Sequence, residues 1–189
     1  MTSSPSPPPP AGEGARPTRT ITRLSAAEFT AHVPDLADLL LDAVAGGHSL
    51  GFVDPFERGA ALDFWRARTP AVADGSLLVW ACRGPQGIEG TVSLAVEPKP
   101  NGRHRAEVVK LMVHRAARGR GLGRALLTIA ERAAAELGAT LLLLDTETGS
   151  AAESLYAAAG WTRYGIVPDY ATDPSGALRD CSFFYKRLA

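Results

Sequence analysis

Residues 114–127 read HRAARGRGLGRALL, with Arg115, Arg118, Arg120 and Arg124 set among Gly119, Gly121 and Gly123. Glycine reaches backbone conformations closed to other residues and leaves the main chain bare for close approach. Successive amide N–H groups can then converge on one point, and arginine adds charge-assisted donors. The chemistry this pattern serves is the holding of a phosphate at the positive end of a following helix.

Three kinds of phosphate site share that chemistry. A P-loop requires Lys and then Ser or Thr directly after its last glycine, and neither is present. A dinucleotide fingerprint requires a sixth position of Gly or Ala. Counted from Gly119 that position is Arg124, and counted from Gly121 it is Leu126. Asp145 does stand near the distance of a ribose-binding acid, but the glycines come too long after the preceding strand. The third pattern is [QR]-x-x-G-x-[GA], which Arg118, Gly121 and Gly123 satisfy between a strand and a helix.

The elements that must position these residues follow from periodicity. TRTITRL (18–24) reads as a strand, and Ser25 with Glu28 forms a capping-box pattern. The helix that follows breaks before Pro34 and restarts there, because proline suits a first helical turn. Its leucines stop at Gly46–Gly47. After a loop at 48–55, a second helical region carries Phe56, Ala60 and Phe64 at four-residue spacing, with its end disturbed by Pro70. Strands are expected at 76–84, 88–97 and 106–115, then the glycine loop and an amphipathic helix ended by Gly138. TLLLLDTE is an unbroken apolar run of strand length, as a central strand covered on both faces requires. A short helix stopped by Gly160 and two last strands, 161–167 and 181–188, complete the order. The reading is an α/β (α+β) chain: a mixed sheet of six to seven strands flanked by about four helices. Residues 1–17 hold six of the fourteen prolines and read as a solvated, disordered tail before a single domain at 18–189.

Composition removes several classes. The formal net charge is zero, unlike a dedicated nucleic-acid binder. The charge is local instead: residues 103–124 carry seven Lys/Arg and one acid, Glu107, which fits a small anionic ligand. No apolar run reaches a membrane span, and no secretory signal core is seen, so a soluble cytoplasmic chain is expected. Cys82 and Cys181 are then expected as buried, unbridged thiols. His32, His48, His104 and His114 lack metal-ligand spacing, so no metal is expected.

Together with the loop, ESLYAAAGW resembles the GNAT superfamily of acetyl-CoA-dependent N-acetyltransferases, in which a helix bearing Leu-Tyr and ending in Gly-Phe/Trp follows the strand after the cofactor loop. Leu155, Tyr156, Gly160 and Trp161 match. GGHSLGF, DGSLLVW, EVVKLMV and LDTETGSAAESLY are similar to the tabtoxin resistance acetyltransferases over residues 25–189. A departure is Gly149, where the wider superfamily often has Asn. The resemblance implies the GNAT fold, with its mixed, mostly antiparallel sheet, acetyl-CoA as co-substrate and a small-molecule primary amine as acceptor, with a resistance substrate as the narrower reading. It also implies backbone contacts from Leu111, Met112 and Val113 to the pantetheine arm. Arg118, Gly119, Arg120, Gly121, Leu122, Gly123 and Arg124 would hold the pyrophosphate. Tyr156 is the candidate general acid, its phenol protonated at neutral pH. Glu107 and Asp145 are candidate bases for a proton that the incoming ammonium must lose. Surface pairing of Glu107 with Arg105 or Lys110, and a capping role for Asp145, stand beside those roles. Loop 48–54, with His48, Ser49, Phe52 and Asp54, is the candidate acceptor-binding segment, and PDYATDPSG, with Tyr164 and Tyr170, is read as a late loop closing over the acceptor. A CoA-binding sensor and a peptide N-terminal acetyltransferase are the rival functions, and homodimerisation is left open.

Overall fold

A computed structural model describes residues 19–84 and 87–188; the proline-rich stretch lies outside the described residues. The chain opens with β1 (Ile21–Arg23), α1 (Ala26–Ala31), α2 (Val33–Ala45), α3 (Arg58–Arg66) and α4 (Thr69–Ala73). It continues through β2 (Leu77–Gly84), β3 (Gly87–Val96), β4 (Arg105–Val113), α5 (Leu122–Glu136), β5 (Leu141–Glu147), α6 (Ala151–Ala158), β6 (Thr162–Thr172) and β7 (Leu178–Arg187).

Local chemistry accounts for most boundaries. Ser25 and Glu28 close a reciprocal capping box on α1. His32 separates α1 from α2, and Pro34 sits in the first turn of α2. The second helical region is two helices, because Pro70 starts a new first turn in α4 and does not simply fray α3. The described residues therefore hold six α-helices, where about four were expected.

The strands form one sheet in the order β1-β2-β3-β4-β5-β7-β6. Every pairing is antiparallel except β4–β5. Each face carries a core. One joins Trp80, Val92, Leu94, Val108, Leu142 and Phe184 to Leu122, Leu126, Leu127 and Ala130 of α5 and to Tyr156 of α6. The other joins Val79, Ala81 and Met112 to Leu36, Leu40 and Trp65 of α2 and α3. No helix among the described residues is long and apolar enough to cross a membrane.

The stretch expected as a late loop is mostly strand. β6 continues through Pro168 and Tyr170 to Thr172. It is an edge strand, where a missing N–H is tolerated, and its register shifts between Val167 and Ala171 absorb the proline. Asp173 closes the hairpin: its Oδ1 accepts from Ser175 N and Ala177 N, and its Oδ2 takes a two-pronged pair from Arg179.

Candidate functional site

The sheet is opened in its middle by a bulge in β4. Two steps along β3, from Thr91 to Ser93, face three along β4, from Met112 to Val109. The extra residue is Lys110, at φ 53°. Side-chain parity inverts there. Ala106 and Val108 pack under α5 and α6 and Val109 on the opposite face, but beyond the bulge Leu111 and Val113 join the α5 side. The neighbouring parallel strand is lost as well. β4 and β5 pair only from Arg105↔Leu141 to Glu107↔Leu143, so the β5 side of residues 108–113 carries no strand.

That divergence holds a cavity of ≈ 540 Å³. One end is bounded by Leu111, Met112, Val113, Arg118, Gly119, Gly121, Leu122 and Gly123, and the other by Asp145, Tyr156, Tyr170, Arg179 and Cys181. His48, Ser49, Leu50 and Gly51 form a wall.

Gly119 and Gly121 have φ of 72° and 77°, and Gly121 is the N-cap of α5. A Cβ at either would meet nothing within 4 Å, so backbone conformation, not crowding, requires glycine there. The space a side chain would take is open. Gly123 differs: its Cβ would touch Leu155 of α6 at 3.4 Å. Among the described residues, the amides of Gly119 to Arg124 donate to no protein acceptor, and the first bond into α5 is Ala125 N to Gly121 O. A bare, positive-φ loop at a helix N-terminus is the form an anionic diphosphate requires.

The arginines divide. Arg118 lines the cavity, and its Nε donates to Val113 O at 3.0 Å. Arg120 and Arg124 lie outside the lining, and Arg124 donates to Ala158 O at 2.9 Å, tying the loop to α6. Arg115 is held by Asp42.

Tyr156 is 5 % exposed and packs against Trp161 and Phe184. The α6 N-terminus that orients it is capped by Ser150, which accepts from Glu153 N. Glu153 in turn grips Gly149 N and Ser182 Oγ. The phenol makes no hydrogen bond to another described residue, and it is not among the fully enclosed polar atoms left without a partner. Burial, with Asp145 adding its charge, holds it well above the usual tyrosine range.

Asp145 lies within β5, not at its end, and faces the cavity from an exposed position. It accepts from Cys181 Sγ at 3.4 Å. Glu107 is outside the cavity lining, on the same sheet face. The two surface partners foreseen for it are engaged elsewhere: Arg105 with Glu97, and Lys110 with Leu50 O. Although Glu107 keeps surface in solvent, the protein crowding its carboxyl raises its pKa. Asp145 raises it further, and Lys110 opposes both.

Phe52 and Asp54 do not line the cavity. Phe52 stacks on Phe56 and Phe64, and Asp54 N donates to Pro174 O. The loop contributes residues 48–51 in their place. His48 is held below its ordinary pKa by burial and then by Arg118, against Glu147 and Asp42. Cys181 and Cys82 are buried and free. Burial and then Asp145 push the Cys181 thiol up to about 12, so it stays protonated. Lys110 and Cys181 were not foreseen as site residues, and nothing in their local sequence marks them, whereas His48 and Ser49, expected in the acceptor loop, do line the cavity.

Residues 40–161 match the acetyltransferase (GNAT) family, and the chain belongs to it. The acetyltransferase yncA of Salmonella typhimurium, solved with its cofactor acetyl-CoA, has a TM-score of 0.69 at 21% identity, over 91% of this chain and 95% of its own. A GNAT superfamily phosphinothricin acetyltransferase (Pat) from Sinorhizobium meliloti, in complex with AcCoA, has a TM-score of 0.75 at 16% identity, over 91% and 89%. A ribosomal-protein-alanine N-acetyltransferase from Brucella melitensis has a TM-score of 0.68 at 24% identity, over 89% and 99%. At these identities the fold is what the chains share.

Proposed function

We propose that the chain is an acetyl-CoA-dependent N-acetyltransferase acting on a primary amine of a small molecule. One observation carries the reading: the glycine loop's amides, engaged by no described protein acceptor, open onto the cavity that also holds Tyr156 and Asp145. Acetyl-CoA supplies an activated acetyl group as a thioester, and the amine nitrogen displaces sulfur, the C–N bond forming as C–S breaks. The amides of Gly119–Arg124 and Arg118 hold the diphosphate. The unpaired side of Leu111 and Val113 receives the pantetheine arm as an added strand. Tyr156 keeps its proton at physiological pH and donates to the departing sulfur. Asp145, with Glu107 behind it on the same face, takes the proton released by the amine.

A small acceptor is supported by the wall at 48–54, which is tied to the β6–β7 hairpin by Ser49 Oγ to Thr172 O at 3.1 Å and by Asp54 N to Pro174 O at 2.8 Å. A bridge of this kind favours a small acceptor over an extended peptide. The resistance reading rests on the motifs similar to the tabtoxin resistance acetyltransferases, and the Sinorhizobium relative is a phosphinothricin acetyltransferase. The test mixes the full chain and acetyl-CoA with amino acids, amino-acid-like toxins, diamines and short peptides. Thiol release and a mass gain of one acetyl group are followed. Transfer to a small amine ahead of any peptide is expected. Tight acetyl-CoA binding without transfer to any amine would sink the enzymatic reading and leave a CoA-binding sensor.

A further inference from the structure

Lys110 is placed by the bulge and engaged on every side. Its φ of 53° lies where side-chain-bearing residues are uncommon. Its Nζ donates to Leu50 O at 3.0 Å and stands 5.5 Å from the centre of the Phe64 ring. Leu50 lies in the middle of the 48–54 wall. Two further hydrogen bonds, at Ser49 and Asp54, reach the β6–β7 hairpin, and His48 N donates to Ala43 O at the end of α2. Lys110 therefore ties the wall to β4, the strand whose bulge opens the cavity.

We infer that Lys110 is a positioning residue for acetyl transfer: it fixes the wall of the acceptor half through Leu50 and sets a cation beside the Glu107 and Asp145 carboxylates. The inference rests on reading this cavity as the site of amine acetylation. The geometry gives it two separable effects. Without the Nζ bond, Leu50 keeps its packing on the core that includes Met112 but loses its hydrogen bond to β4, and the acceptor meets a less firmly held wall. Without the cation, Glu107 keeps the two neighbours that raise its pKa, Asp145 on β5 and Glu97 beyond β3, and loses the one that lowers it. Arg68, between α3 and α4, shares the Phe64 ring with Lys110. It adds to the burial that lowers the lysine's own pKa, while Asp145 and Glu107 resist that lowering.

The test compares wild type, Lys110→Met and Lys110→Arg in the full chain. Methionine keeps the apolar stem against Phe64, and arginine keeps donor and charge. Hydrogen exchange at residues 48–54 is measured without ligand, and acetyl transfer is measured against pH. Lys110→Met is expected to speed exchange in the wall about tenfold, as loss of a local anchor does. The acceptor KM should rise while acetyl-CoA affinity holds. The acid limb of kcat/KM should move to higher pH, because Glu107 then protonates earlier as pH falls. Lys110→Arg should restore all three. Should Lys110→Met not fold, Lys110→Leu, which likewise lacks a donor and a charge, takes its place with the same expectations. Unchanged exchange at 48–54, an acid limb that stays in place, or failure of arginine to rescue overturns the inference. If wild type acetylates no amine, the functional reading falls, and the exchange comparison still decides whether Lys110 fixes the wall.

Discussion

Tyr156, Asp145 and Glu107 differ in environment, and that difference separates the roles proposed for them. The phenol is enclosed by Trp161 and Phe184 and loses its proton only far above neutrality. It is a donor throughout the working range. Tyr156→Phe keeps the ring packing and removes the donor. It should lower kcat by roughly a hundredfold, within the range for a positioned proton donor, with acetyl-CoA affinity unchanged. Steady-state kinetics beside a binding titration checks this, and a full-rate Phe variant contradicts it. Glu107 is raised by burial and by Asp145. Asp145→Asn removes a negative neighbour, so Glu107 should titrate at lower pH than in wild type. Its carboxyl carbon resonance followed against pH gives the sign directly, and an unchanged midpoint would show that the two carboxylates do not sense one another.

At the scale of elements, the site is made by a strand that stops pairing and a helix that starts bare. The bulge at Lys110 turns Leu111 and Val113 toward α5 and leaves their β5 side without a strand. α5 begins at Leu122 on a left-handed Gly121. Gly121→Val places a β-branched residue at φ 77°, at a strain of roughly 1–3 kcal/mol, and fills the open space before the helix. Acetyl-CoA affinity should fall about tenfold or more by calorimetry, while buried Leu126 and Leu127 keep α5 folded by circular dichroism. Wild-type affinity in that variant would contradict the loop's role. Much of this layer was legible. The capping box needs only Ser25 and Glu28, and the glycines and arginines announce their loop within eleven residues. The bulge was not legible, because a lysine at positive φ leaves no mark in composition or periodicity. Its parity inversion is visible only once β3 is laid beside β4.

For the whole molecule, the succession of strands and helices and a central strand covered on both faces follow from alternation and from the unbroken leucines of β5, whereas the order β1-β2-β3-β4-β5-β7-β6 is set by pairings between distant segments. The acceptor wall depends on contacts of another kind. Ser49 reaches Thr172 across 123 residues, and Lys110 reaches Leu50 across 60. Such pairings decide that residues 48–51 face the cavity and that Phe52 turns instead into an aromatic cluster with Phe56 and Phe64. Local pattern cannot choose between those outcomes, because Phe52 and Asp54 look as apt for an acceptor as His48 does. Cys181 illustrates the same limit. It is a buried thiol as its residue type foretells, yet only the β5–β7 register sets it against Asp145.

The account depends most on the main chain from Gly119 to Arg124 gripping a diphosphate and thereby laying a thioester beside Tyr156 and Asp145. The direct measurement is a titration of isotopically labelled full-length chain with coenzyme A, following each backbone amide by NMR. The account predicts saturable binding with the largest proton shifts at Gly119, Gly121, Leu122 and Gly123, moving downfield as new hydrogen bonds form. Saturable binding that leaves those amides in place while others move, or no binding at all, would contradict it.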